Sequence, residues 1–264
     1  MIDFFYNVMK PERPLILVTN DDGVHAPGIR ALIEVMKTKG DVLVIAPDKP
    51  QSGMGHAITI NSTLRINKLK EEEGYTEYSC SGTPVDCVKI AVNKLLPRKP
   101  DLCVSGVNHG SNSSINVIYS GTMSAAVEGC IESIPSIGFS LCSYSVDANF
   151  DACKKIADRL VNKILANSLP EGVCLNVNIP NIEYDKLNGI KICRQAKANW
   201  EEELDERKDP MGNSYFWLTG VFKNYDSGTD TDEWALANQW VSVVPVHIDF
   251  TAHHTIPFLK KMEL

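Results

Sequence analysis

Two adjacent carboxylates stand where the first apolar run of this sequence ends. Residues 15–19 are apolar and favour a β-strand, and Asn20, Asp21, Asp22 and Gly23 follow them directly. Because neighbouring carboxylates repel each other unless a cation neutralises them, this arrangement is typical of a metal site. It is equally typical of an Asx turn, with Gly23 at the corner and Asn20 or Asp21 capping the next helix. This stretch alone leaves both interpretations open.

Two further loops that follow predicted strands supply oxygen atoms of other kinds. Residues 46–56 contain Ser52 close to two glycines, and residues 105–112 contain Asn108. Carboxylate, hydroxyl and amide oxygens together favour a hard cation such as Mg²⁺ or Mn²⁺ over zinc. Each loop also has a purely structural explanation, since residues 46–56 could be a plain surface loop and Asn108 a turn residue with positive φ.

A fourth loop ends immediately before a helical pattern and contains Ser120, Gly121 and Thr122. Backbone N–H groups and hydroxyls at the start of a helix form a ready site for an anion. Ordinary N-capping by Ser120 or Thr122 explains this loop better when it is taken alone. Taken together, the four loops favour a metal-assisted phosphate site.

The elements that must position these loops alternate between strand and helix patterns. We predict strands at residues 15–19, 41–46, 75–79, 102–105, 136–139 and 173–179, helices at 28–39, 84–96, 123–133 and 151–166, and one or two strands within 57–69. Alternation at this spacing implies parallel strands with helices on both faces, which is a doubly wound α/β sheet. Ligands of such sheets collect at the carboxyl ends of the strands, where the loops described above begin.

The alternation of strand and helix patterns ends at about residue 188. Residues 190–200 and 214–219 flank a charged segment and a turn at 209–212, which predicts a long β-hairpin. Strands at 240–245 and 247–250, a short helix or turn around 234–237 and a final helix near 257–262 are predicted after it. A two-stranded hairpin cannot bury both of its faces, so we expect it to pack against a second subunit. Packing back onto its own domain remains the alternative.

Composition narrows the classes of function. A net charge of −7 over 264 residues disfavours a nucleic-acid polymer as the partner, although a bound divalent cation would still permit a small phosphorylated ligand. The eight cysteines form no C-x-x-C pair and lie mostly in apolar runs, which predicts reduced thiols in a cytoplasmic protein. No segment has the pattern of a signal peptide or a membrane span. A P-loop, a dinucleotide fingerprint and a serine-hydrolase elbow are also missing from the sequence.

Six blocks of the sequence occur together, in this order, in one known family. They are TNDDGVHAPGI at 19–29, APDKPQSG at 46–53, SGTPVDCV at 81–88, SGVNHGSN at 105–112, VIYSGTMSAAVEG at 117–129 and DFTAH at 249–253. With this set of blocks the chain closely resembles the SurE family of stationary-phase survival nucleotidases, from about residue 15 to residue 254. The main departure is the extension before the first strand, because family members usually begin close to that strand.

The resemblance implies a metal-dependent phosphomonoesterase acting on nucleoside 5′- and 3′-monophosphates and, in some members, on short polyphosphate. It also implies a Rossmann-like core with a C-terminal hairpin and a swapped arm that build a homodimer or homotetramer. We accordingly divide the chain into an N-terminal extension (1–13), a catalytic core (14–188) and a hairpin-and-arm region (189–264).

The family's site residues fall on matching positions of this sequence. The implied metal ligands are Asp21, Asp22, Ser52 and Asn108, and the implied phosphate-binding residues are Asn112, Ser120, Gly121 and Thr122. Asp249 and His253 match an acid and a histidine near the family's C-terminal arm, where we expect a role in assembly. From the residues alone, this pair could also orient a general base.

One divalent ion on the four implied ligands would keep open positions for water and for a phosphate oxygen. Attack by a metal-activated water is therefore the expected mechanism. A phospho-enzyme formed on Asp21 or Asp22 is the alternative, and it is less favoured because a carboxylate committed to a metal is a poor nucleophile. A haloacid-dehalogenase-like phosphatase needs an aspartate where Gly23 stands, and a non-catalytic nucleotide or metal sensor would be distinguished by its lack of activity.

Overall fold

The structure, a computed structural model, describes residues 13–145 and 147–262. The predicted extension at 1–13 therefore lies outside the described residues, apart from Arg13. The strands are β1 (Leu15–Thr19), β2 (Asp41–Pro47), β3 (Ile66–Glu72), β4 (Tyr75–Cys80), β5 (Leu102–His109), β6 (Ser136–Cys142), β7 (Val173–Pro180), β8 (Gly189–Ile192), β9 (Ala198–Lys208), β10 (Ser214–Asn224) and β11 (Trp240–His247). The α-helices are α1 (Pro27–Met36), α2 (Pro84–Ile90), α3 (Gly121–Ile131), α4 (Asp151–Asn167), α5 (Asp232–Ala237) and α6 (Ile256–Lys260).

Nine of the described strands form one sheet in the order β3-β4-β2-β1-β5-β6-β7-β11-β8. Neighbouring strands run parallel except at β3–β4 and β7–β11, which are antiparallel. The predicted α/β fold with a mostly parallel, Rossmann-like sheet is confirmed. Chain order reverses at β1, which has β2 on one side and β5 on the other. The crevice at the carboxyl ends of β1 and β5 is therefore the topological switch point, where such sheets bind ligands.

The helices cover both faces of the sheet because its central strands are apolar on both sides. Ile16 and Val18 of β1 belong to the core cluster that includes α1 and α4, whereas Leu17 belongs to the cluster that includes α2. Alternate residues of a strand point to opposite faces of the sheet, so a continuous apolar run must be packed against helices on both faces. This double packing fixes the carboxyl end of β1 as a rigid support.

Most predicted elements lie within a few residues of the observed ones, and the exceptions have local causes. Residues 57–65 form no strand, because side chains tie them to the first turn of α2. There the Thr59 backbone N–H donates to Asp86 at 3.0 Å, and the Thr83 hydroxyl donates to the Ala57 carbonyl oxygen at 2.8 Å. The predicted strand at 102–105 is too short, since β5 continues across an irregularity in its pairing with β6. Asn108 therefore lies near the end of a strand and not in a loop.

The C-terminal region differs more from the prediction. The hairpin consists of β9 and β10, so the mostly charged segment 201–208, expected between its strands, is itself part of a strand. Both faces of this ribbon are largely exposed, so charged side chains keep their hydration within it. β8 and β11 join the main sheet, which places the predicted boundary at residue 188 between strands of one sheet. β11 is a single strand that ends at His247, and the strand predicted at 247–250 is wrong.

All eight cysteines are free, and seven of them are buried. Across residues 13–145 and 147–262, none of the helices has the length and apolar character needed to cross a membrane.

Candidate active site

Asp21 and Asp22 lie directly after β1, at the switch point of the sheet. Asn20 closes the turn that carries them, because its side-chain amide donates to the Gly23 carbonyl oxygen at 2.8 Å. Gly23 has φ +101°, a conformation that glycine adopts without strain. Helix α1 has Ala26 at its N-cap and no side-chain cap, so neither Asn20 nor Asp21 caps it. The Asn20 side-chain oxygen has no hydrogen-bond partner among the described residues, so the expected Asx turn does not form here, and both carboxylates stay uncommitted to the helix.

Asp21 is the more deeply placed carboxylate, with 4% of its surface exposed. Its Oδ1 accepts a hydrogen bond from the Thr122 hydroxyl at the start of α3. Gly121 lies against it so closely that a Cβ there would come within 2.7 Å of the Asp21 Cβ. Burial raises the pKa of Asp21 to about 6, the Thr122 hydrogen bond opposes this rise, and the neighbouring Asp22 carboxylate adds to it. An ionised Asp21 is thus costly unless a positive charge lies beside it.

The loop that contains Ser52 lies across this pair. The Gln51 backbone N–H donates to the Asp21 carbonyl oxygen at 2.8 Å, and the Gly55 N–H donates to the Tyr119 carbonyl oxygen at 3.2 Å. Ser52 lies between these two anchors and is exposed. The backbone therefore brings Ser52 to the side of the crevice where Asp21 lies.

The end of β5 approaches from the opposite side. The His109 backbone N–H donates to Asp22 Oδ2 at 3.1 Å, and His109 Nδ1 lies 3.7 Å from the same oxygen. Asn108 immediately precedes it, and its side-chain nitrogen donates to the Gly110 carbonyl oxygen at 2.8 Å. That bond turns the amide oxygen away from Gly110. The residues next to Ser52 and next to Asn108 thus hydrogen bond directly to the acidic pair.

The start of α3 forms the third wall. Ser120 is the N-cap, and its hydroxyl accepts from the Met123 backbone N–H at 3.0 Å. The Thr122 hydroxyl is committed to Asp21, so this residue joins the helix start to the acidic pair. The N–H groups of the first helical turn carry the positive end of the helix dipole, which favours an anion beside them.

Asn112 is buried, and its side-chain nitrogen, its backbone N–H and its carbonyl oxygen are all hydrogen bonded. Its side-chain nitrogen donates to the Ser140 hydroxyl at 2.8 Å, and its backbone N–H donates to Asn178 Oδ1 at 2.7 Å. Asn176 donates to its carbonyl oxygen at 2.8 Å. Sequence reasoning missed these supporting residues, although alternating asparagines in the apolar strand β7 were a visible signal. They hold Asn112 in a fixed position against β6 and β7.

Asp249 and His253 form a separate pair on the segment after β11. His253 Nε2 lies 2.6 Å from Asp249 Oδ2, and the other hydrogen bonds of Asp249 are to Thr251 and His247. Hydrogen bonds from Thr251 and then from His253 hold the pKa of Asp249 well below its usual range. Both side chains are exposed, and their described partners all lie within residues 247–253. This pair is not among the groups that surround Asp21.

The donor set fits a hard divalent cation. No group of three or more His, Cys, Asp or Glu side chains suited to a metal occurs within residues 13–145 and 147–262. The ligands predicted from the sequence are instead two carboxylates, a hydroxyl and an amide, which are groups suited to Mg²⁺ or Mn²⁺. Asp21 is buried beside Asp22, a group of the same charge, so a cation bound between them would stabilise both carboxylates.

The fold and the site together define a doubly wound α/β protein with an acidic pair and a helix start at its switch point. The chain belongs to the SurE family: the family model described as "Survival protein SurE" matches residues 16–202. A protein of Flavobacterium psychrophilum named 5′-nucleotidase SurE is 64% identical over 253 residues, which cover 96% of this chain and 98% of the relative. A protein of Flavobacterium johnsoniae with the same name is 62% identical, with 97% and 99% covered.

A solved structure agrees with these sequence matches. The crystal structure of the SurE protein from Aquifex aeolicus superposes with a TM-score of 0.82 at 38% identity. The match covers 95% of this chain and 100% of that one. The family inferred from the six sequence blocks is confirmed, and so is the fold.

Proposed function

We propose that this protein hydrolyses nucleoside 5′-monophosphates to nucleoside and phosphate in a metal-dependent reaction. The 5′-nucleotidase activity rests on family membership and on relatives of that name aligned over nearly the full chain. The observation that carries the metal dependence is the buried Asp21 beside Asp22 at the switch point. By the same family resemblance, we include nucleoside 3′-monophosphates and short polyphosphate among the substrates.

Four residues would hold one Mg²⁺ or Mn²⁺, namely Asp21, Asp22, Ser52 and Asn108. When bound, the cation would offset the negative charge of the phosphate and make a water molecule more acidic. Thr122 fixes the Asp21 carboxylate through its hydroxyl, and the backbone N–H of His109 fixes Asp22. Each acid is thus oriented by a neighbouring element before any ligand arrives.

The phosphate would lie against the start of α3. The backbone N–H groups of Gly121 and Thr122, with Ser120 at the N-cap, offer donors that do not need to be reoriented. Asn112 would define the far side of the same pocket. The Asn112 side-chain nitrogen already donates to the Ser140 hydroxyl. We therefore propose that Asn112 helps to position the pocket wall, in addition to any contact it makes with the phosphate. A water molecule is the proposed nucleophile, and isolation of a phosphorylated Asp21 or Asp22 would contradict this.

The first experiment measures phosphate release from AMP and GMP with Mg²⁺ or Mn²⁺. We expect activity that EDTA abolishes and that Asp22→Asn lowers by at least a hundredfold, because the variant loses a charged ligand. The matched control is Asp41→Asn, which makes the same change at the opposite end of the sheet, in an exposed pair with Arg13. Wild-type rates in Asp22→Asn, or full activity in EDTA, would refute the metal assignment.

We further propose that the protein acts in the cytoplasm as a homodimer or homotetramer, without a nucleic-acid polymer as partner. The net charge of −7 supports the last point, and the exposed apolar hairpin supports assembly.

A further inference from the structure

A cavity of about 520 Å³ opens between the core and the hairpin. Its lining includes Gly53, Tyr119, Trp200, Glu202 and Leu218. The two aromatic side chains are large and accessible, with 48% of Tyr119 and 38% of Trp200 exposed. Aromatic faces that remain open inside a cavity are suited to stacking a flat ligand.

Two residues of the cavity lining are sequence neighbours of residues in the proposed reaction site. Gly53 directly follows Ser52, a proposed metal ligand, and Tyr119 directly precedes Ser120 at the proposed phosphate site. The hydrogen bond from the Gly55 N–H to the Tyr119 carbonyl oxygen, 3.2 Å long, joins these two walls. A ligand with its phosphate at the start of α3 would therefore direct the rest of its structure toward this cavity.

Trp200 is held in place before any ligand arrives. Its indole N–H donates to Asn116 Oδ1 at 2.8 Å, and its ring lies edge-on to Phe222 with the centroids 5.4 Å apart. Ser114, two residues before Asn116, donates its hydroxyl to the Ala198 carbonyl oxygen at 3.2 Å. The base of the hairpin is thereby fixed to the segment that leads into Tyr119 and Ser120. A ring fixed in this way loses little entropy when a ligand stacks on it.

We propose that this cavity binds the nucleobase of the substrate, with Tyr119 and Trp200 as stacking surfaces. Glu202 adds a carboxylate to the wall, which accepts hydrogen bonds from the N–H groups on a base edge. Stacking on an aromatic side chain tolerates every base, so the cavity selects nucleotides over phosphate esters that lack a base. The inference rests on the proposed nucleotidase function and adds the part of the substrate that the metal and phosphate residues do not contact.

The test compares AMP with ribose 5-phosphate, which carries the same phosphate ester without the base. We expect Trp200→Ala and Tyr119→Ala each to lower kcat/KM for AMP by about tenfold or more, mainly through KM. The value for ribose 5-phosphate should stay within about twofold of wild type, because the phosphate and metal residues are unchanged. Trp200→Phe keeps a ring without the indole N–H and should retain most of the activity on AMP.

Trp217→Ala is the matched control, since it removes an exposed tryptophan from the same hairpin away from the cavity lining. It should leave both substrates unaffected, with the size of every variant checked by light scattering. Equal losses on AMP and ribose 5-phosphate, the same loss in Trp217→Ala, or equal wild-type efficiency on both esters would overturn the nucleobase site. A wild-type protein that hydrolyses neither ester would instead refute the proposed function, so the two failures are distinguishable.

Discussion

At the scale of single residues, the contacts of Asp21 hold three elements together. Its carbonyl oxygen accepts from the loop that carries Ser52, its carboxylate accepts from Thr122, and its Cβ lies against Gly121. Since Gly121 has no side chain, the start of α3 can approach the end of β1 this closely. Residue 21 is therefore held by three elements, and the Thr122 hydroxyl orients its carboxylate.

The Thr122 hydroxyl orients Asp21, so its removal should lower activity. Thr122→Val keeps the shape of the side chain but removes the hydrogen bond to Asp21 Oδ1, leaving a buried carboxylate without that partner. Such a loss costs about 1–3 kcal/mol, so kcat/KM for AMP should fall by about tenfold or more. The Mn²⁺ concentration for half-maximal activity should rise, because a freer Asp21 is a poorer ligand. Thr122→Ser restores a hydroxyl and should recover most of the activity, whereas equal losses in both variants would contradict the role.

At the scale of elements, the sequence predicted the parts whose pattern is set by burial. Strand β1 is a continuous apolar run and helix α4 has a clear helical period of apolar residues, and both were placed within a few residues. The extension of β5 to His109 was missed because its polar, glycine-containing sequence is typical of a loop. The β9 strand was misplaced because its charged residues are exposed on both faces and carry no inward period.

The candidate site was predictable to a similar degree. The loops at the carboxyl ends of β1, β2 and β5 and the start of α3 do converge, because the parallel topology brings strand ends to one edge. Which atoms pair with which was beyond the sequence. The commitment of Thr122 to Asp21 and the network around Asn112 depend on contacts between residues 28–101 positions apart.

An ion pair between Arg30 and Glu77 connects helix α1 to strand β4. Arg30 donates to both carboxylate oxygens of Glu77, at 3.1 and 2.8 Å, and Tyr75 donates to the same group. Burial alone would raise the pKa of Glu77, but the hydrogen bonds from Arg30 and Tyr75 outweigh it and hold the pKa below its ordinary value. A depressed native pKa stabilises the fold above the unfolded-state pKa, and this contribution disappears as pH falls through the native pKa.

Glu77→Gln should therefore lower the free energy of unfolding by about 1–3 kcal/mol at pH 7. The difference from wild type should shrink as pH falls from about 5 to 3, since protonation removes the advantage of the wild-type carboxylate. Urea unfolding at several pH values measures both effects. The matched control is Glu71→Gln, in an exposed pair with Lys68 on β3, which should change stability by no more than about 0.5 kcal/mol. A pH-independent difference for Glu77→Gln would contradict the assigned ion pair.

At the scale of the whole molecule, the exposed apolar side chains concentrate in the hairpin and in the segment after β11, here called the arm (residues 249–262). Phe250 in the arm is 87% exposed and Phe258 is 63% exposed, and Phe216 and Trp217 are exposed on the hairpin. Single exposed apolar residues are ordinary, but clusters of this kind mark interaction surfaces. The Asp249–His253 pair bridges the residues on both sides of Phe250, so we assign it to shaping the arm.

The arm therefore gives the molecular-scale prediction. Light scattering of the wild-type protein should report two or four times the mass of the chain. Phe250→Ser with Phe258→Ser should shift the population toward smaller species, because an apolar interface loses its largest contacts. Tyr144→Ser, which removes an equally exposed ring outside the arm and hairpin, should leave the mass unchanged. A monomeric wild type, or a double variant of undiminished mass, would show that these surfaces do not join copies of the chain.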